Sequence, residues 1–371
     1  MTRFAWLLVG VACLVAAFCA LAVPARAEFD ARVTADEPQY LLSAISLAED
    51  RDLNIRDELR LQRWSAFHEA PLPRQTKPLP GGQRISPHDP LLPALLALPV
   101  AVGGWVGAKL TLAVVAGILA AATVWLSVQR LGVAPRVAAF VVVAFAAVPP
   151  LAVYGTQIYP EMPAALAVVL AVSAVTGPLQ RGGLIVFVAA LVALPWLSVK
   201  YLPVVIALAL VAGAALLRAG RIPVLLGVTA VLVVMAGAWL VFHRSVYGGW
   251  TAYAAGDHFV GGEATVMGSD PNYLGRSLRL VGLAVDRGFG LVAWAPAFVL
   301  GAAAVGGLLR QRPPGWIALV LPLAAGWLNA TFVALTMHGW WWPGRQVVVV
   351  VPLLVAAVAW FVHHALHRRH W

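Results

Sequence analysis

Residues 222–242 read IPVLLGVTAVLVVMAGAWLVF, an unbroken run of 21 residues without a charged side chain. A helix of that length spans the hydrocarbon core of a bilayer and satisfies its own backbone polar groups. Comparable apolar runs recur along the 371-residue chain, which is 61% hydrophobic and has a mean hydropathy of +0.84. The sequence therefore predicts an all-α polytopic membrane protein.

The apolar runs and their polar breaks predict about ten transmembrane helices in one domain, residues 1–371, without a separate soluble domain. Two connections are long, 24–90 and 243–287, and the threading puts both on the same side of the membrane. The predicted spans are residues 4–23, 106–128, 136–153, 162–175, 184–198, 201–217, 222–242, 289–309, 316–336 and 347–363.

The charges divide between the two predicted faces. Arginines such as Arg130, Arg181 and Arg312 occupy short connections, whereas all 16 Asp and Glu residues fall on the opposite face of this threading. The positive-inside rule then puts the arginines in the cytoplasm and the acids on the extracytoplasmic side of the plasma membrane. The net charge of +10 follows from this topology, and without a continuous basic face we expect no nucleic-acid partner.

The N-terminal run allows two interpretations. Phe4–Val23 followed by Ala25-Arg26-Ala27 resembles a cleavable signal peptide, but an apolar run of about 20 residues is also long enough to be a span. We expect a retained signal anchor with a cytoplasmic N-terminus. Cys13 and Cys19 lie in this run and have no disulfide-framework or metal-binding spacing.

Two short helices are predicted beside the spans. Residues 40–49 have helical apolar spacing and are predicted to lie along the membrane surface, in the first outer loop. Residues 91–102 are apolar but short and contain Pro93 and Pro99, which indicates a re-entrant or interfacial helix rather than a full span.

Carboxylates in the outer connections are candidates for chemistry. Asp36, beside Glu37, is either the cap of the helix that follows or a general base whose partial burial would raise its pKa toward the working range. Glu161, in Tyr159-Pro160-Glu161, is either a cap or a functional group at the mouth of a span. His88-Asp89 is either a helix cap or a pair that positions an acceptor or assists a divalent metal, which would need further ligands.

Cationic and aromatic residues of the same connections suit a phosphorylated sugar. Lys200 either snorkels to the surface or clamps a lipid phosphate, and Arg345 can hold a phosphate bidentately. Arg287 is a third candidate cation. Trp341 and Trp342 form either an interfacial belt or a surface on which a sugar stacks.

Several of these stretches, taken in order, resemble the GT-C class of polyprenyl-phosphate-dependent membrane glycosyltransferases. That class includes the protein O-mannosyltransferases and the lipid A aminoarabinose transferase. The resemblance rests on an acidic first loop with its helix, a Pro-rich re-entry, a second outer loop and two later loop motifs. These stretches are residues 34–42 with 46–53, 86–98, 159–163, 286–296 and 340–345.

The resemblance implies a GT-C-type helical bundle that transfers a sugar, with inversion, from a polyprenyl-phosphate donor to a lipid, glycan or protein acceptor at the extracytoplasmic face. Asp36 matches the catalytic carboxylate of the class, and Glu37 replaces a second aspartate, which leaves its part in the site open. We expect the leaving phosphate at Lys200, Arg345 and Arg287. The acceptor, a water or a metal is expected at Glu37, His88, Asp89 or Glu161, and the sugar or lipid at Tyr159, Trp341 or Trp342.

Two other functions remain open. A transporter or lipid flippase needs ionisable groups at mid-bilayer, which are rare here away from helix ends, and the chain has no evident internal repeat. A non-catalytic lipid-binding membrane protein would keep the same fold without activity.

Overall fold

The computed structural model describes residues 2–26, 30–73, 75–250, 272–334, 337–339 and 341–368. Parts of the second long connection (251–271), Trp340 and Arg369 lie outside these ranges. The helices are α1 (Arg3–Leu21), α2 (Glu37–Glu49), α3 (Arg56–Arg60), α4 (Leu91–Leu131), α5 (Pro135–Ala146), α6 (Leu151–Tyr154), α7 (Glu161–Val175), α8 (Arg181–Leu197), α9 (Leu202–Arg218), α10 (Ile222–Tyr247), α11 (Tyr273–Ser277), α12 (Arg279–Val285), α13 (Leu291–Trp294), α14 (Val299–Gln311), α15 (Trp316–Leu328) and α16 (Val351–Arg368). Short 3₁₀ turns lie at Arg63–Ala66, Val199–Tyr201, Pro296–Phe298 and Arg345–Val347.

The predicted all-α membrane fold is confirmed. Five helical segments of the described ranges are long and apolar enough to cross a membrane, namely 3–21, 91–131, 199–218, 222–247 and 316–333. Four shorter apolar helices, α5, α7, α8 and the main part of α16, coincide with further predicted spans. The predicted span 289–309 is instead broken into pieces at Ala295, which is extended because it precedes Pro296.

The helix predicted at 40–49 is present as α2, which begins three residues earlier, at Glu37. Residues 37–46 are all buried, and α2 packs along α4. In the same loop, α3 and the 3₁₀ turn Arg63–Ala66 also contact α2.

The short helix predicted at 91–102 and the following span form a single kinked element, α4. At Gly104 the backbone turns to φ 58° and ψ −149°, a conformation that glycine adopts without a steric penalty. Just beyond the kink, a Cβ on Gly107 would lie 2.2 Å from the carbonyl oxygen of Pro99, so the two limbs of α4 approach closely. The kink at Gly104 therefore sets the limb that starts at Leu91 apart from the predicted span 106–128.

The core lies between α4, α7 and α16. Residues 351–360 of α16 are all buried, as are most residues of α7. Small residues let the helices approach: a Cβ on Gly117 of α4 would lie 2.3 Å from the carbonyl oxygen of Ala12 in α1. In contrast, α10 exposes Val231, Val233 and Val234, an apolar face that suits contact with lipid.

The polar connections gather at the two ends of the bundle as the threading predicts. At one end Arg130 donates from Nε to the Ser173 carbonyl at 3.1 Å, and Arg221 donates to that of Leu179 at 3.0 Å. At the other end the connections before α2, α4, α7 and α16 meet, and these carry the acidic candidates. We call this second end of the bundle the acidic end.

Candidate active site

Asp36 occupies the N-cap position of α2, but its side chain makes no capping hydrogen bond. The residue before it, Ala35, has φ +51°, a left-handed conformation that is strained for a residue with a Cβ. With the chain turned in this way, the Asp36 carboxylate accepts a hydrogen bond from Arg345 Nη1 at 2.9 Å. The structure therefore does not support the interpretation of Asp36 as a simple helix cap.

Arg345 connects two carboxylates that are distant in sequence. It begins the 3₁₀ turn before α16, and besides Asp36 it contacts Glu161 at the start of α7, where Nε donates to Oε1 at 2.9 Å. The Arg345 side chain is 8% exposed and that of Glu161 only 1%, so this ion pair is withdrawn from solvent. Charged groups at such depth are costly unless they are paired, which both are.

Lys200 completes the charged group. Its Nζ donates to the same Glu161 oxygen at 2.7 Å, and its side chain is 28% exposed. Asn329, in a π-helical turn after α15, holds the local backbone by donating from Nδ2 to the Lys200 carbonyl at 2.9 Å. These contacts join two carboxylates and two cations into one network. We call it the charge cluster, and it consists of Asp36, Glu161, Lys200 and Arg345.

Aromatic rings line the charge cluster. The Arg345 guanidinium lies 4.0 Å from the ring centre of Tyr159 and 5.1 Å from that of Trp341, distances at which cation–π attraction is favourable. Trp342 contacts the cluster only indirectly, because its ring packs against Trp294 and its carbonyl accepts from Tyr154 Oη at 2.7 Å. Tyr159 and Trp341 therefore lie directly against the charge cluster.

His88 joins the cluster at Asp36. Its Nε2 lies 3.9 Å from Asp36 Oδ1 and has no hydrogen-bond partner within the described part of the chain, although it is buried. The imidazole stacks on Tyr40, with ring centres 4.6 Å apart, which fixes its orientation. An unpartnered buried nitrogen beside a carboxylate is suited to accepting a proton.

Glu37 does not share the cluster. Its oxygens accept from the backbone N–H groups of Thr34 at 2.8 Å and Ile158 at 2.7 Å, and the charge of Lys109 acts on it. Glu37 therefore joins the first outer loop to the loop before α7, and it holds Asp36 in place from the neighbouring position. Burial raises the pKa of Glu37 against the opposing influence of Lys109.

Asp89 and Arg287 lie outside the cluster too. Asp89 Oδ2 accepts from the backbone N–H of Val199 at 3.1 Å, and Oδ1 lies 3.4 Å from His243 Nε2, so Asp89 supports the turn that carries Lys200. Burial raises the pKa of Asp89 to about 7. Arg287 is exposed, and no contact joins it to the cluster in the described residues.

The pKa of Asp36 moves in the direction opposite to the one predicted. Burial alone would raise it, but the positive charge of Arg345, with smaller contributions from His88 and Lys200, holds it below the ordinary value for aspartate. Asp36 is therefore ionised throughout the physiological range. Burial lowers the pKa of His88 despite the nearby Asp36 carboxylate, so the imidazole is neutral at pH 7.

The sequence patterns did not identify three residues that contribute to the site: Tyr40, Asn329 and Lys109. Tyr40 and Asn329 carry no local signal, because their roles depend on distant partners. Lys109 is a lone cation in an apolar run, which is a signal of function or pairing. It donates from Nζ to the Arg32 carbonyl at 2.7 Å, and its charge acts on Glu37.

The predicted metal candidates do not converge on one point. Glu161 and Asp36 direct oxygens at cations, while Glu37 and Asp89 accept from backbone N–H groups. In the described ranges, one group of three His, Cys, Asp or Glu side chains lies close enough together to share an ion, namely Asp50 at the end of α2 with Asp57 and Glu58 of α3.

The fold was compared with those of known proteins. ArnT from Cupriavidus metallidurans bound to undecaprenyl phosphate matches 96% of this chain with a TM-score of 0.59 and 15% sequence identity. The chain has a GT-C fold. The apo state of the same ArnT gives a TM-score of 0.56, and the Archaeoglobus fulgidus oligosaccharyltransferase in its apo form gives 0.52 at 12% identity, over 99% of this chain.

The GT-C fold is shared over only part of these larger proteins. The chain spans 60% of the length of the ligand-bound ArnT chain, 59% of the apo chain and 51% of the oligosaccharyltransferase. No protein-family model and no curated protein matches the sequence. The resemblance predicted from the loop motifs is thus confirmed at the level of fold.

Proposed function

We propose that the chain is a membrane glycosyltransferase that moves a sugar from a polyprenyl-phosphate donor to an acceptor on the extracytoplasmic face, with Asp36 as the catalytic carboxylate. The observation that carries the proposal is the charge cluster, in which Arg345 bridges Asp36 and Glu161. The GT-C fold supports it, since one protein with this fold was solved with undecaprenyl phosphate bound.

Arg345 and Lys200 of the charge cluster have further hydrogen-bond donors for a lipid-linked phosphate. Arg345 uses Nε and one Nη1 proton for carboxylates, which leaves Nη2 without a partner in the described residues. The Lys200 ammonium has three protons, of which Glu161 takes one. With His88 neutral, the net charge of the two cations and two carboxylates is zero. The remaining N–H groups of Arg345 and Lys200 are fixed donors for an anionic leaving group in a poorly hydrated site, where electrostatic stabilisation is strong.

The proposed reaction is a single displacement at the anomeric carbon. A bond forms from the acceptor oxygen or nitrogen to that carbon as its bond to the phosphate oxygen breaks, and the polyprenyl phosphate leaves with the electron pair. Asp36 orients the acceptor and receives its proton, and His88, beside Asp36, is placed to take the proton onward. Attack opposite the phosphate inverts the configuration.

Transfer of label from a panel of radiolabelled polyprenyl-phosphate sugars, supplied to membranes that overexpress the protein, tests the proposal. Asp36→Asn should lower the rate by roughly 10²–10⁴-fold, as expected for loss of a general base. Asp30→Asn is the matched control, because Asp30 is an exposed acid of the same loop that pairs with Arg26. Transfer by Asp36→Asn at the wild-type rate would exclude the assigned role.

The same preparation separates the alternatives. A transporter or flippase moves a labelled lipid or solute across reconstituted liposomes without forming a transfer product. A non-catalytic lipid-binding protein retains lipid in wild type and Asp36→Asn alike, and neither transfers sugar. Lys109, an ionisable residue within α4, pairs with the first outer loop and so lends no support to a charged path through the bundle.

A further inference from the structure

The helical segment formed by α11 and α12 carries a row of exposed apolar side chains. The two helices run on as one through Leu278, whose backbone is also helical at φ −62° and ψ −24°. At 3.6 residues per turn, four apolar side chains fall within about 60° of one another on this segment. They are 59–87% exposed, and we call them the apolar stripe: Leu274, Leu278, Val281 and Val285. A continuous row of this kind marks a surface that a partner or a membrane covers.

The opposite face of the segment is bound to the bundle. Arg276 and Arg279 donate from Nη1 to the carbonyls of Phe332 and Ala334, at 2.6 Å and 2.7 Å. Leu283, on the same side as these arginines, is buried. The contacts fix the rotation of the segment about its own axis, so the apolar stripe points away from the protein.

A hydrogen bond to α15 gives the depth of the segment in the membrane. Trp327 Nε1 donates to the carbonyl of Leu280 at 3.0 Å. Trp327 belongs to a stretch that is long and apolar enough to cross the membrane and that ends at Val333, at the acidic end. At 1.5 Å per residue, Leu280 therefore lies up to about 9 Å inside the end of this span. At that depth the surroundings of the protein are lipid acyl chains, and a water-soluble partner does not reach it.

From the stripe and its depth we propose that residues 273–285 form an amphipathic helix in the plane of the membrane, with the apolar stripe in contact with the acyl chains of the leaflet at the acidic end. Interfacial helices bury their apolar face by about 5–10 Å, which agrees with the depth given by Trp327. The lipid-facing surface of α10 extends the same environment to another part of the bundle. The end of the connection 243–287 thus lies in the bilayer and not in water.

The segment also reaches the charge cluster through α15. Phe332, which accepts from Arg276, lies in the same π-helical turn as Asn329. Asn329 in turn donates to the Lys200 carbonyl at 2.9 Å. A helix held at a fixed depth by lipid therefore supports the turn that positions Lys200. The lipid contact itself does not depend on the proposed transferase activity.

Spin labels on single cysteines of the full-length protein, with Cys13 and Cys19 replaced by alanine, test the proposal in phosphatidylcholine vesicles. EPR power saturation measures collisions of each label with oxygen, which concentrates in hydrocarbon, and with a water-soluble nickel chelate. Labels at Leu278→Cys and Val281→Cys should collide mainly with oxygen, and the collision ratio should put them about 5–10 Å below the phosphate groups.

Two controls match the exposure of the stripe. Leu61 is 60% exposed in the first outer loop, between Arg60 and Gln62, so a label at Leu61→Cys should collide mainly with nickel. Val234 is 68% exposed on α10, so a label at Val234→Cys should collide mainly with oxygen.

Nickel collisions at Leu278→Cys and Val281→Cys that equal those at Leu61→Cys overturn the proposal, because the stripe then faces water. Few collisions with either reagent overturn it too, since protein then covers the stripe, from a second copy or from another part of the chain. Variants are compared only where gel filtration and thermal unfolding match the cysteine-free protein. If one stripe variant fails this check, the other carries the comparison.

Discussion

Replacing Arg345 with Gln removes a cation that contacts two carboxylates at once, and its consequences follow from the charge cluster. In the wild type, Nη1 reaches Asp36 and Nε reaches Glu161, both at 2.9 Å. Glutamine keeps a donor but loses the charge. Lys200 still contacts Glu161, so Asp36 is the carboxylate left without its main partner.

The size of the effect can be worked out from these contacts. Breaking a buried ion pair by removing one partner typically costs about 3–5 kcal/mol. The lower end applies here, because Asp36 is 18% exposed and Glu161 keeps Lys200. We therefore expect Arg345→Gln to lower the free energy of unfolding by about 3 kcal/mol at neutral pH. If the proposed reaction is correct, loss of one electrostatic donor to the leaving phosphate should lower kcat by roughly 10²–10³-fold.

The dependence on pH identifies the cause. In the wild type, the pKa of Asp36 lies below its ordinary value, so its contribution to stability is present above that value and is lost as the pH falls through the lower folded-state pKa. Without Arg345, burial dominates and raises the pKa of Asp36. The stability gap between wild type and Arg345→Gln should therefore widen as the pH rises from about 4, the ordinary aspartate value, and the acid limb of the rate profile should move to higher pH.

Thermal unfolding is measured from about pH 4, the ordinary pKa of aspartate, to about pH 8. Transfer rates over the same range, where activity is found, measure the effect on catalysis. Arg345→Lys is the matched control, because it keeps the positive charge but loses the planar fork that reaches two carboxylates. Its acid limb should stay close to that of the wild type. A stability gap for Arg345→Gln that is independent of pH, or an acid limb equal to that of the wild type, would refute the argument.

Three further predictions concern the scaffold. Gly117→Ala should lower the unfolding temperature, because its Cβ would lie 2.3 Å from the Ala12 carbonyl, whereas Gly10→Ala meets nothing within 4 Å and should be neutral; equal melting curves for the two variants would contradict this packing. Glu37→Gln should lower the free energy of unfolding by about 1–3 kcal/mol, because an amide offers only one oxygen to the N–H groups of Thr34 and Ile158. An unchanged denaturation curve would show that Glu37 does not join the two loops. With Cys13 and Cys19 replaced, an impermeant maleimide on intact cells should label a cysteine at Asp30 but not one at Arg312, and the reverse pattern would invert the topology.

The sequence predicted the bundle well because the decisive signals are local. Apolar runs with arginine in the short connections determine which residues are helical and which connections share an end, and the structure confirms both. The broken segment at 291–311 shows the limit of this reasoning. The run is apolar enough for one span, but Pro296 and the extended Ala295 before it divide it.

The site was predicted in part. Asp36, Glu161, Lys200, Arg345 and His88 were all chosen from their positions at helix ends, and the structure brings them together. Their pairing could not be predicted, because Arg345 is 309 residues from Asp36 and 184 from Glu161. The direction of the Asp36 pKa was wrong for the same reason: burial can be inferred from local sequence, whereas the cation that outweighs it comes from the far end of the chain.

The energetic cost of the charge cluster is itself an argument for function. Buried ion pairs add little net stability, and replacing them with apolar groups of similar volume is often neutral or favourable. The chain could fold with an apolar contact at this end, as it does between α4, α7 and α16. Instead it places two cations and two carboxylates there, and it strains Ala35 to bring Asp36 to Arg345. Such an arrangement does not help the bundle to fold, but it suits a site where an anion must be recognised and released.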